Sequence, residues 1–291
     1  MSISALPYWV AIAYLALHTV YVLTADFKPR PLVRIVITNV ALAAGFLAIL
    51  QFLDSAEAWS HRWFRFLALW SPVVFFWWAY LWNRWTLHAY YPPEFSFDPA
   101  LIRLEGRLFG QPSLWSAAKE RPWLADLLHF LYNTYYLYTF ALGAYLHTTG
   151  RLRDFQAMTF AVILGYALLY CFFPFLPVWG PRWGLVSAGL LPADRQRLKG
   201  GWITRLTTWF MFEGPAQKAC AMPSAHASTA VIFAVWTWRI GGPELGLAAA
   251  VIALGMAVGA IYGRYHYLLD ILVGAAVGTA CLLLADAAIG A

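Results

Sequence analysis

One polar segment of the chain, Arg264–Asp270, carries residues that could perform group-transfer chemistry. His266 and Asp270 are four residues apart, so on a helix they would lie on one face within reach of each other. A carboxylate bonded to one imidazole nitrogen fixes the tautomer and leaves the other nitrogen free to attack or to accept a proton. Arg264 adds a fixed cation whose fork geometry suits phosphate oxygens. The segment therefore predicts a nucleophile, its orienting carboxylate and an anion clamp.

A second polar segment, Pro223–His226, supplies complementary groups. Ser224 precedes an apolar run and is a suitable helix N-cap, where free backbone N–H groups and the helix dipole favour an anion. His226 would lie in the first turn, from which it could protonate a leaving oxygen. Arg182, in a third segment, adds another cation. Together these residues predict a phosphoryl-transfer site that needs no metal, because such catalysis is mostly positioning and charge stabilisation.

Long apolar stretches separate these polar segments. Of the 291 residues, 62% are hydrophobic and only 12% are charged, whereas average soluble domains carry about 25% charged residues. The composition excludes a soluble globular enzyme, a disordered tail and a secreted disulfide scaffold, and it indicates a polytopic membrane protein. A helix needs roughly 20 apolar residues to cross a bilayer. With that length, the sequence predicts eight spans: Pro7–Thr24, Val33–Leu53, Trp63–Trp82, Leu124–His147, Phe155–Leu176, His226–Ile240, Leu245–Tyr262 and Tyr267–Ala285.

The predicted fold is all-α, a polytopic membrane helical bundle with interfacial amphipathic helices. We expect N-terminal transmembrane helices in residues 1–97, an interfacial amphipathic segment in 98–123 and the catalytic core in 124–291. In the interfacial segment, leucines and charged residues occupy different helical faces, as in a helix that lies on the membrane surface. The two sets are Leu101, Leu104 and Leu108, and Arg103, Glu105 and Arg107. With eight spans, all three polar segments fall on one side of the membrane, and the balanced loop charges leave the orientation open.

The motifs resemble those of a known family. PSAH at Pro223–His226 and RYHYLLD at Arg264–Asp270 resemble the second and third motifs of the type 2 phosphatidic acid phosphatase superfamily, and GPR at Gly180–Arg182 is similar to its degenerate first motif. The pattern looks closest to the inositol phosphorylceramide synthase-like branch, which the segment Asp98–Trp115 also resembles. The motif-bearing match covers Phe155–Ala285, and it implies a six-helix phosphatase-like core toward the C-terminus.

The resemblance also implies roles for individual residues. His266 would be the nucleophile of a phosphohistidine mechanism, with Asp270 as its orienter, and His226 would protonate the departing lipid oxygen. Ser224 and Arg182 would bind the phosphate.

The first and third motifs depart from the common family pattern at three positions. Phe175 stands where the common first motif has a lysine, Trp183 stands where a proline follows the arginine, and Ala260 stands where the common third motif has its arginine. Arg264 would substitute in phosphate binding. Lys218 is a candidate replacement for the missing lysine, although loop lysines are usually solvated.

A further polar face is predicted at the start of the fourth span. It could line a pocket for a headgroup or an accepting hydroxyl, or it could be an interfacial hydrogen-bonded cluster. Its members are Asp126, His129, Tyr132 and Tyr136.

The leading hypothesis is an integral, multi-pass lipid phosphatase of the cell membrane, acting on a lipid phosphate or diphosphate without a cofactor. Its partners would be membrane lipids and not nucleic acid, because no basic block is interleaved with stacking aromatics. Transfer of the phosphoryl group or headgroup to a lipid hydroxyl uses the same histidines and stays open. A metal site of His226, His266 and Asp270 is a third hypothesis, and a non-catalytic transporter or scaffold is a fourth.

Overall fold

The computed structural model describes residues 3–110, 120–214 and 216–289. Over these residues the chain is helical and contains no strand, which confirms the all-α fold class. The helices are α1 (Leu6–Thr24), α2 (Leu32–Leu50), α3 (Ala56–Ser60), α4 (Arg62–Trp82), α5 (Asp98–Phe109), α6 (Pro122–Asn133), α7 (Tyr135–Thr148), α8 (Leu152–Phe172), α9 (Pro181–Ser187), α10 (Trp202–Phe212), α11 (Ala225–Tyr262) and α12 (Leu268–Ile289).

Among the described residues, six helices are long and apolar enough to cross a membrane. The chain is therefore an integral membrane protein, as its composition predicts. The six are Leu6–Thr24, Leu32–Leu50, Arg62–Trp85, Leu152–Phe175, Ala225–Tyr262 and Leu268–Ile289. The number differs from the predicted eight at two places, where the backbone breaks or bends inside an apolar stretch.

The first difference is in the predicted span Leu124–His147, which forms two helices, α6 and α7. Thr134 lies between them, and its hydroxyl donates to the Leu131 carbonyl oxygen at 2.6 Å. Such a side-chain bond to the backbone competes with the helical ladder. Hydropathy does not register this break, so the sequence predicts one span here and the structure has two shorter helices.

The second difference is only one of count: α11 covers the two predicted spans His226–Ile240 and Leu245–Tyr262, and it bends between them, where the sequence predicts the boundary. Gly242 has φ 75° and ψ −173°, a conformation outside the helical region, and Pro243 follows it. Proline disfavours a helical conformation in the residue before it and has no N–H to donate. The chain therefore folds back at this point, and the arms 225–241 and 243–262 lie side by side. Their packing is close, because a methyl group added at Gly246 would lie 2.5 Å from the Trp238 ring.

Contacts divide the chain into two compact units. The first unit comprises Met1–Pro93, Leu146–Phe175 and Cys281–Ala291. In it α1 packs on α2 and α8, and α4 packs on α8. Its core is rich in aromatic rings, and Tyr14 contacts both Phe76 and Tyr170. Burial of such large rings is the main source of packing energy in a helical core of this kind.

The second unit comprises Glu94–Tyr145 and Leu176–Ala280, and it contains all three polar segments. α6 packs on α10 and α11, and α5 packs on α9. α12 approaches the start of α11 closely, because methyl groups added at Gly274 and Gly278 would lie 2.3 and 2.2 Å from the carbonyl oxygens of Ser224 and Ser228. Small residues four apart let helix backbones come together in this way. This contact brings the first turns of α11 and α12 side by side.

Candidate active site

His266 lies in the turn between α11 and α12 rather than on the helix that carries Asp270. Its Nδ1 atom lies 2.8 Å from the Ala221 carbonyl oxygen. Because a carbonyl oxygen only accepts, Nδ1 carries the hydrogen and Nε2 is the nitrogen with a free lone pair. The Asp270 Oδ2 atom lies farther from Nδ1, at 3.4 Å, and it accepts the Tyr267 backbone N–H at 2.8 Å. The Ala221 carbonyl is therefore the closer orienting group, and Asp270 caps its own helix.

The imidazole of His266 is buried and neutral. Burial, and then the positive charge of Arg182, lower the pKa of His266 from 6.5 to about 3, and the bond to Ala221 opposes this only in part. A neutral ring at physiological pH keeps the Nε2 lone pair available for attack on an electrophile.

His226 faces His266 from the first turn of α11. The two ring centres are 5.6 Å apart with an interplanar angle of 61°, and the His226 Nε2 atom is buried with no hydrogen-bond partner in the described structure. Ser224 is the N-cap of α11, and its hydroxyl accepts the Ala227 N–H at 3.3 Å. Its own N–H donates to the Asp270 carbonyl at 3.0 Å. Ser224 therefore acts in the structure as a cap that joins the two helix starts.

Arg182 lies in the first turn of α9, and 5% of its surface is exposed. Its backbone N–H donates to the Arg264 carbonyl at 2.8 Å, and its guanidinium carbon lies 5.4 Å from the centre of the Tyr265 ring. Its Nε atom is buried with no partner among the described residues. A buried donor of this kind is costly unless it is satisfied, so Arg182 is well suited to hold an anion beside His266.

Arg264 is also buried, but its guanidinium is already engaged. It donates to the Arg195 carbonyl oxygen and pairs with the Glu120 carboxylate at 3.3 Å. Its backbone has φ 61°, a left-handed conformation that is uncommon outside glycine and that concentrates at functional turns. A phosphate at Arg264 would have to compete with these protein groups, so the structure supports Arg182 more strongly than Arg264 as the clamp.

Aromatic side chains surround His226. Tyr132 stacks on its ring with centres 4.6 Å apart, Tyr135 lies at 4.1 Å and Tyr136 at 6.4 Å. Tyr132 also packs on Tyr265 at 5.0 Å. Tyr132 and Tyr136 belong to the predicted headgroup pocket, whereas Tyr135 does not follow their spacing. The helix is interrupted at Thr134, directly before Tyr135.

The other two residues of the predicted pocket are tied to protein groups. Asp126 accepts the backbone N–H and the hydroxyl of Thr204 at 2.9 and 2.7 Å, at the start of α10. His129 donates from Nδ1 to the Ala125 carbonyl at 2.7 Å, so its Nε2 accepts the Tyr265 hydroxyl at 2.8 Å. His129 therefore supports the turn that carries His266, and Asp126 holds α10.

Lys218 lies over indole rings close to the first motif. Its ammonium nitrogen is 3.5 Å from the centre of the Trp179 ring and 5.3 Å from that of Trp183, and burial lowers its pKa. These two tryptophans flank Gly180–Arg182 in the sequence. The structure therefore gives Lys218 an aromatic environment rather than the free solvation expected of a loop lysine.

The expectation for α5 is wrong in one respect. Leu104, Leu108 and the arginines are exposed, as expected for an interfacial helix, but only 2% of Glu105 is exposed. The reason is that its Oε1 atom accepts the Leu269 N–H at 2.9 Å, at the start of α12. Part of the predicted segment, 111–119, lies outside the described residues.

The site is thus assembled from three parts of the second unit, the starts of α9 and α11 and the turn before α12. Among the described residues, no group of three His, Cys, Asp or Glu side chains is arranged to hold a metal ion. The arrangement presents one free imidazole nitrogen, a second imidazole across from it and a buried guanidinium. These groups can bind an anion, attack it and supply a proton to a leaving group.

Of the three comparisons with known proteins, one found a match. Neither the curated proteins nor the solved structures include a match to the chain. The model of the PAP2 superfamily matches residues 99–284, well over half of the 291 residues. This range contains the three segments that form the site, and members of the superfamily are phosphoric ester hydrolases or related phosphotransferases. The chain belongs to the PAP2 superfamily.

Proposed function

We propose that the chain is a multi-pass lipid phosphatase of the cell membrane that works through a phosphohistidine at His266. The observation that carries the proposal is the environment of the ring nitrogens of the two histidines. The Ala221 carbonyl holds the hydrogen of His266 on Nδ1, and the unpartnered His226 Nε2 is buried next to it. One histidine is prepared to attack and the other to transfer a proton.

In the first step, the Nε2 atom of His266 attacks phosphorus. An N–P bond forms as the bond from phosphorus to the lipid oxygen breaks, and His226 delivers a proton to that oxygen. The Arg182 guanidinium neutralises charge on the phosphoryl oxygens, which is where transition-state stabilisation acts in this type of reaction. The Nδ1–H of His266 stays bonded to Ala221 and stabilises the positive charge that the ring acquires.

In the second step, water attacks phosphorus from the side that the lipid alcohol has left. His226 accepts a proton from this water, the N–P bond breaks and inorganic phosphate leaves. The acid of the first step becomes the base of the second, as reversal of the same proton path requires.

The position of the site supports a lipid substrate. His226 and Asp270 lie in the first turns of two membrane-spanning helices, so a phosphate bound between them belongs to a molecule whose remaining part is in the bilayer. Exposed Trp202, Leu206 and Trp209 on α10 are typical of a surface that contacts the headgroup region.

The test is a substrate panel on the purified full-length protein. Phosphatidic acid, an isoprenyl diphosphate and a sphingoid phosphate would be supplied in mixed micelles, with and without candidate lipid alcohols, and the products identified by mass spectrometry. We expect release of inorganic phosphate. A new phosphodiester lipid in the presence of an alcohol would instead identify a lipid phosphotransferase.

The intermediate is tested by trapping. A substrate labelled with ³²P should label the wild type with an acid-labile, base-stable bond, as expected for a phosphorus–nitrogen bond, and His266→Ala should stay unlabelled. His61→Ala, at an exposed histidine of the first unit, is the matched control. Full turnover by His266→Ala would refute the mechanism. Loss of turnover in EDTA, with stoichiometric metal in the protein, would favour a metal-dependent mechanism.

A further inference from the structure

The carboxylate of Asp98 bonds to two of the segments that form the site. Its Oδ2 atom accepts the backbone N–H of Trp179 at 2.7 Å, and its Oδ1 atom accepts the hydroxyl of Tyr267 at 2.8 Å. Trp179 stands three residues before Arg182, and Tyr267 directly follows His266. A single buried side chain on α5 therefore connects the arginine segment to the histidine turn.

The packing around this carboxylate leaves no room for a side chain at position 184. A methyl group added at Gly184, on the same helix as Arg182, would lie 2.1 Å from the Asp98 Oδ1 atom and 2.4 Å from the Tyr267 hydroxyl. Asp98 is fully buried. Burial raises its pKa, and the hydrogen bonds that it accepts from Ser96, Trp179 and Tyr267 oppose the rise. Burial of a carboxylate costs free energy. Here the carboxylate bonds to the two segments that must be aligned for the proposed reaction.

We propose that Asp98 is a positioning residue that holds Arg182 and His266 in register for a single phosphate. The proposal rests on the function proposed above and deepens it, because it assigns a role to a residue outside the three motifs. Asp98 acts through Trp179 and Tyr267. A misplacement of about 1 Å between reacting groups can cost about 10²-fold in rate.

The decisive variant is Tyr267→Phe, which removes only the hydroxyl that Asp98 accepts. Asp98→Ala removes both tethers, and Asp98→Asn restores one acceptor oxygen as the conservative variant. The control is Ser96→Ala. The Ser96 hydroxyl donates to the same carboxylate at 2.5 Å and accepts the Asp98 N–H. Among the described residues these bonds do not extend to either segment, so its loss reports on the stability of the start of α5.

The readouts are kcat, the melting temperature, and the affinity for inorganic phosphate measured by titration calorimetry. The titration is run well below the melting temperature of each variant, where nearly all of the protein is folded, so simple destabilisation leaves the affinity unchanged. We expect Tyr267→Phe and Asp98→Ala to weaken phosphate binding by about tenfold and to lower kcat by about 10- to 100-fold. Asp98→Asn should recover part of the loss. Ser96→Ala should lower the melting temperature with unchanged affinity and kcat.

The double variant Asp98→Ala/Tyr267→Phe completes the test. If Asp98 acts through Tyr267, the double variant has the same affinity and kcat as Asp98→Ala. The reason is that Asp98→Ala already breaks the hydrogen bond that Tyr267→Phe removes. Wild-type affinity and kcat in Tyr267→Phe, or losses that multiply in the double variant, would overturn the proposal. If Asp98→Ala does not fold, the comparison of Tyr267→Phe with Ser96→Ala still decides.

The failure of this inference differs from a failure of the proposed function. A wild type that releases no phosphate from any substrate would refute the phosphatase, but phosphate titration of the variants would still test the role of Asp98. An active wild type with an inactive His266→Ala and an unaffected Tyr267→Phe would refute only the role of Asp98.

Discussion

The two units bury different kinds of polar side chain. In the first unit the buried polar residues among those described are uncharged amides and hydroxyls together with His18. Asn39 is typical of them, since it donates to His18 and Thr19 and accepts the Trp82 indole N–H. In the second unit five buried residues are of charged types: Asp98, Glu105, Arg182, Arg264 and Asp270.

The difference between buried uncharged and buried charged side chains separates a role in stability from a role in function. A neutral amide that bonds to neighbouring helices stabilises them at a modest desolvation cost. A buried carboxylate or guanidinium costs much more and is seldom retained for stability alone. We therefore propose that the first unit is a membrane scaffold and that the second unit carries the proposed chemistry.

The largest effect is expected for the buried histidines. His266→Ala should lose activity by about 10⁴-fold or more, the scale on which removal of a nucleophile acts, and His226→Ala should be severely impaired. His18→Ala, at the buried histidine of the first unit, should lower the melting temperature and leave kcat of the folded enzyme close to the wild-type value. The measurement is initial rate per folded protein. A dead His18→Ala with wild-type folding would abolish the contrast between the units.

The next largest effect is expected for buried arginine. Arg182→Ala should lower kcat/KM by about 10²- to 10³-fold, because one preorganised donor to the phosphoryl oxygens is lost. Arg182→Lys should recover little, since an ammonium lacks the fork of donors. Arg30→Ala, at an exposed arginine of the first unit, is the control and should match the wild type. Equal effects at Arg182 and Arg30 would mean that burial does not select the functional cations.

We expect Asp270→Asn to lower kcat less than the sequence alone predicts. A His–x–x–x–Asp pattern predicts that the carboxylate controls the tautomer, whose loss is severe in comparable triads. In the structure the Ala221 carbonyl does this at 2.8 Å. Asp270→Asn should therefore lower kcat by only about tenfold, with the His266 ring still oriented. Nitrogen-15 NMR of the imidazole would report the tautomer directly. A shift of the hydrogen to Nε2 in this variant would restore the role predicted from sequence.

Much of the site could be predicted because its reactive side chains lie in short motifs. The spacing of Ser224, His226, His266 and Asp270 predicts phosphoryl-transfer chemistry, and apolar length predicts the membrane helices. The orienting carbonyl of Ala221 could not be predicted, because any residue supplies a carbonyl. Glu105 could not be predicted to be buried, because its partner Leu269 is 164 residues away in the sequence.

The predicted span Leu124–His147 is wrong for a related reason. A window of apolar residues measures length and composition, but the break at Thr134 is a local backbone event, whereas the bend at Gly242 lies at the predicted boundary between two spans. The glycine and proline at positions 242 and 243 are a recognisable signal for the bend. Thr134 carries no comparable signal, because threonine is common in membrane helices and usually leaves them intact.

Glycine substitutions compare the packing of the two units. Gly274→Ala should destabilise the protein by about 1–3 kcal/mol, because the new methyl group meets the Ser224 carbonyl oxygen, which belongs to the backbone and cannot move aside. Gly45→Ala, in α2 of the first unit, meets no described atom within 4 Å and should stabilise by up to about 1 kcal/mol through helix propensity. Unfolding in detergent measures both. Opposite signs would confirm that close helix packing is a requirement of the second unit.

The smallest effect is the pH dependence of stability due to His266. Its pKa is lowered to about 3 in the folded protein, from 6.5, by burial and by Arg182. Below pH 6.5 the unfolded chain takes up a proton that the folded chain refuses, so the free energy of unfolding falls as the pH falls. Between pH 7.5 and 5.5 the loss due to this group is about 1 kcal/mol.

His266→Asn removes the titrating group while an amide N–H can still reach the Ala221 carbonyl. Its stability should therefore fall less steeply over the same range, by about 1 kcal/mol. The sign of the difference is informative. If His266 were a cation paired with Asp270, its pKa would be raised on folding, and the wild type would instead gain stability relative to the variant as the pH falls toward 6.5. A steeper loss in the wild type below pH 6.5 means that the folded site holds a neutral imidazole, as a nucleophile beside Arg182 requires.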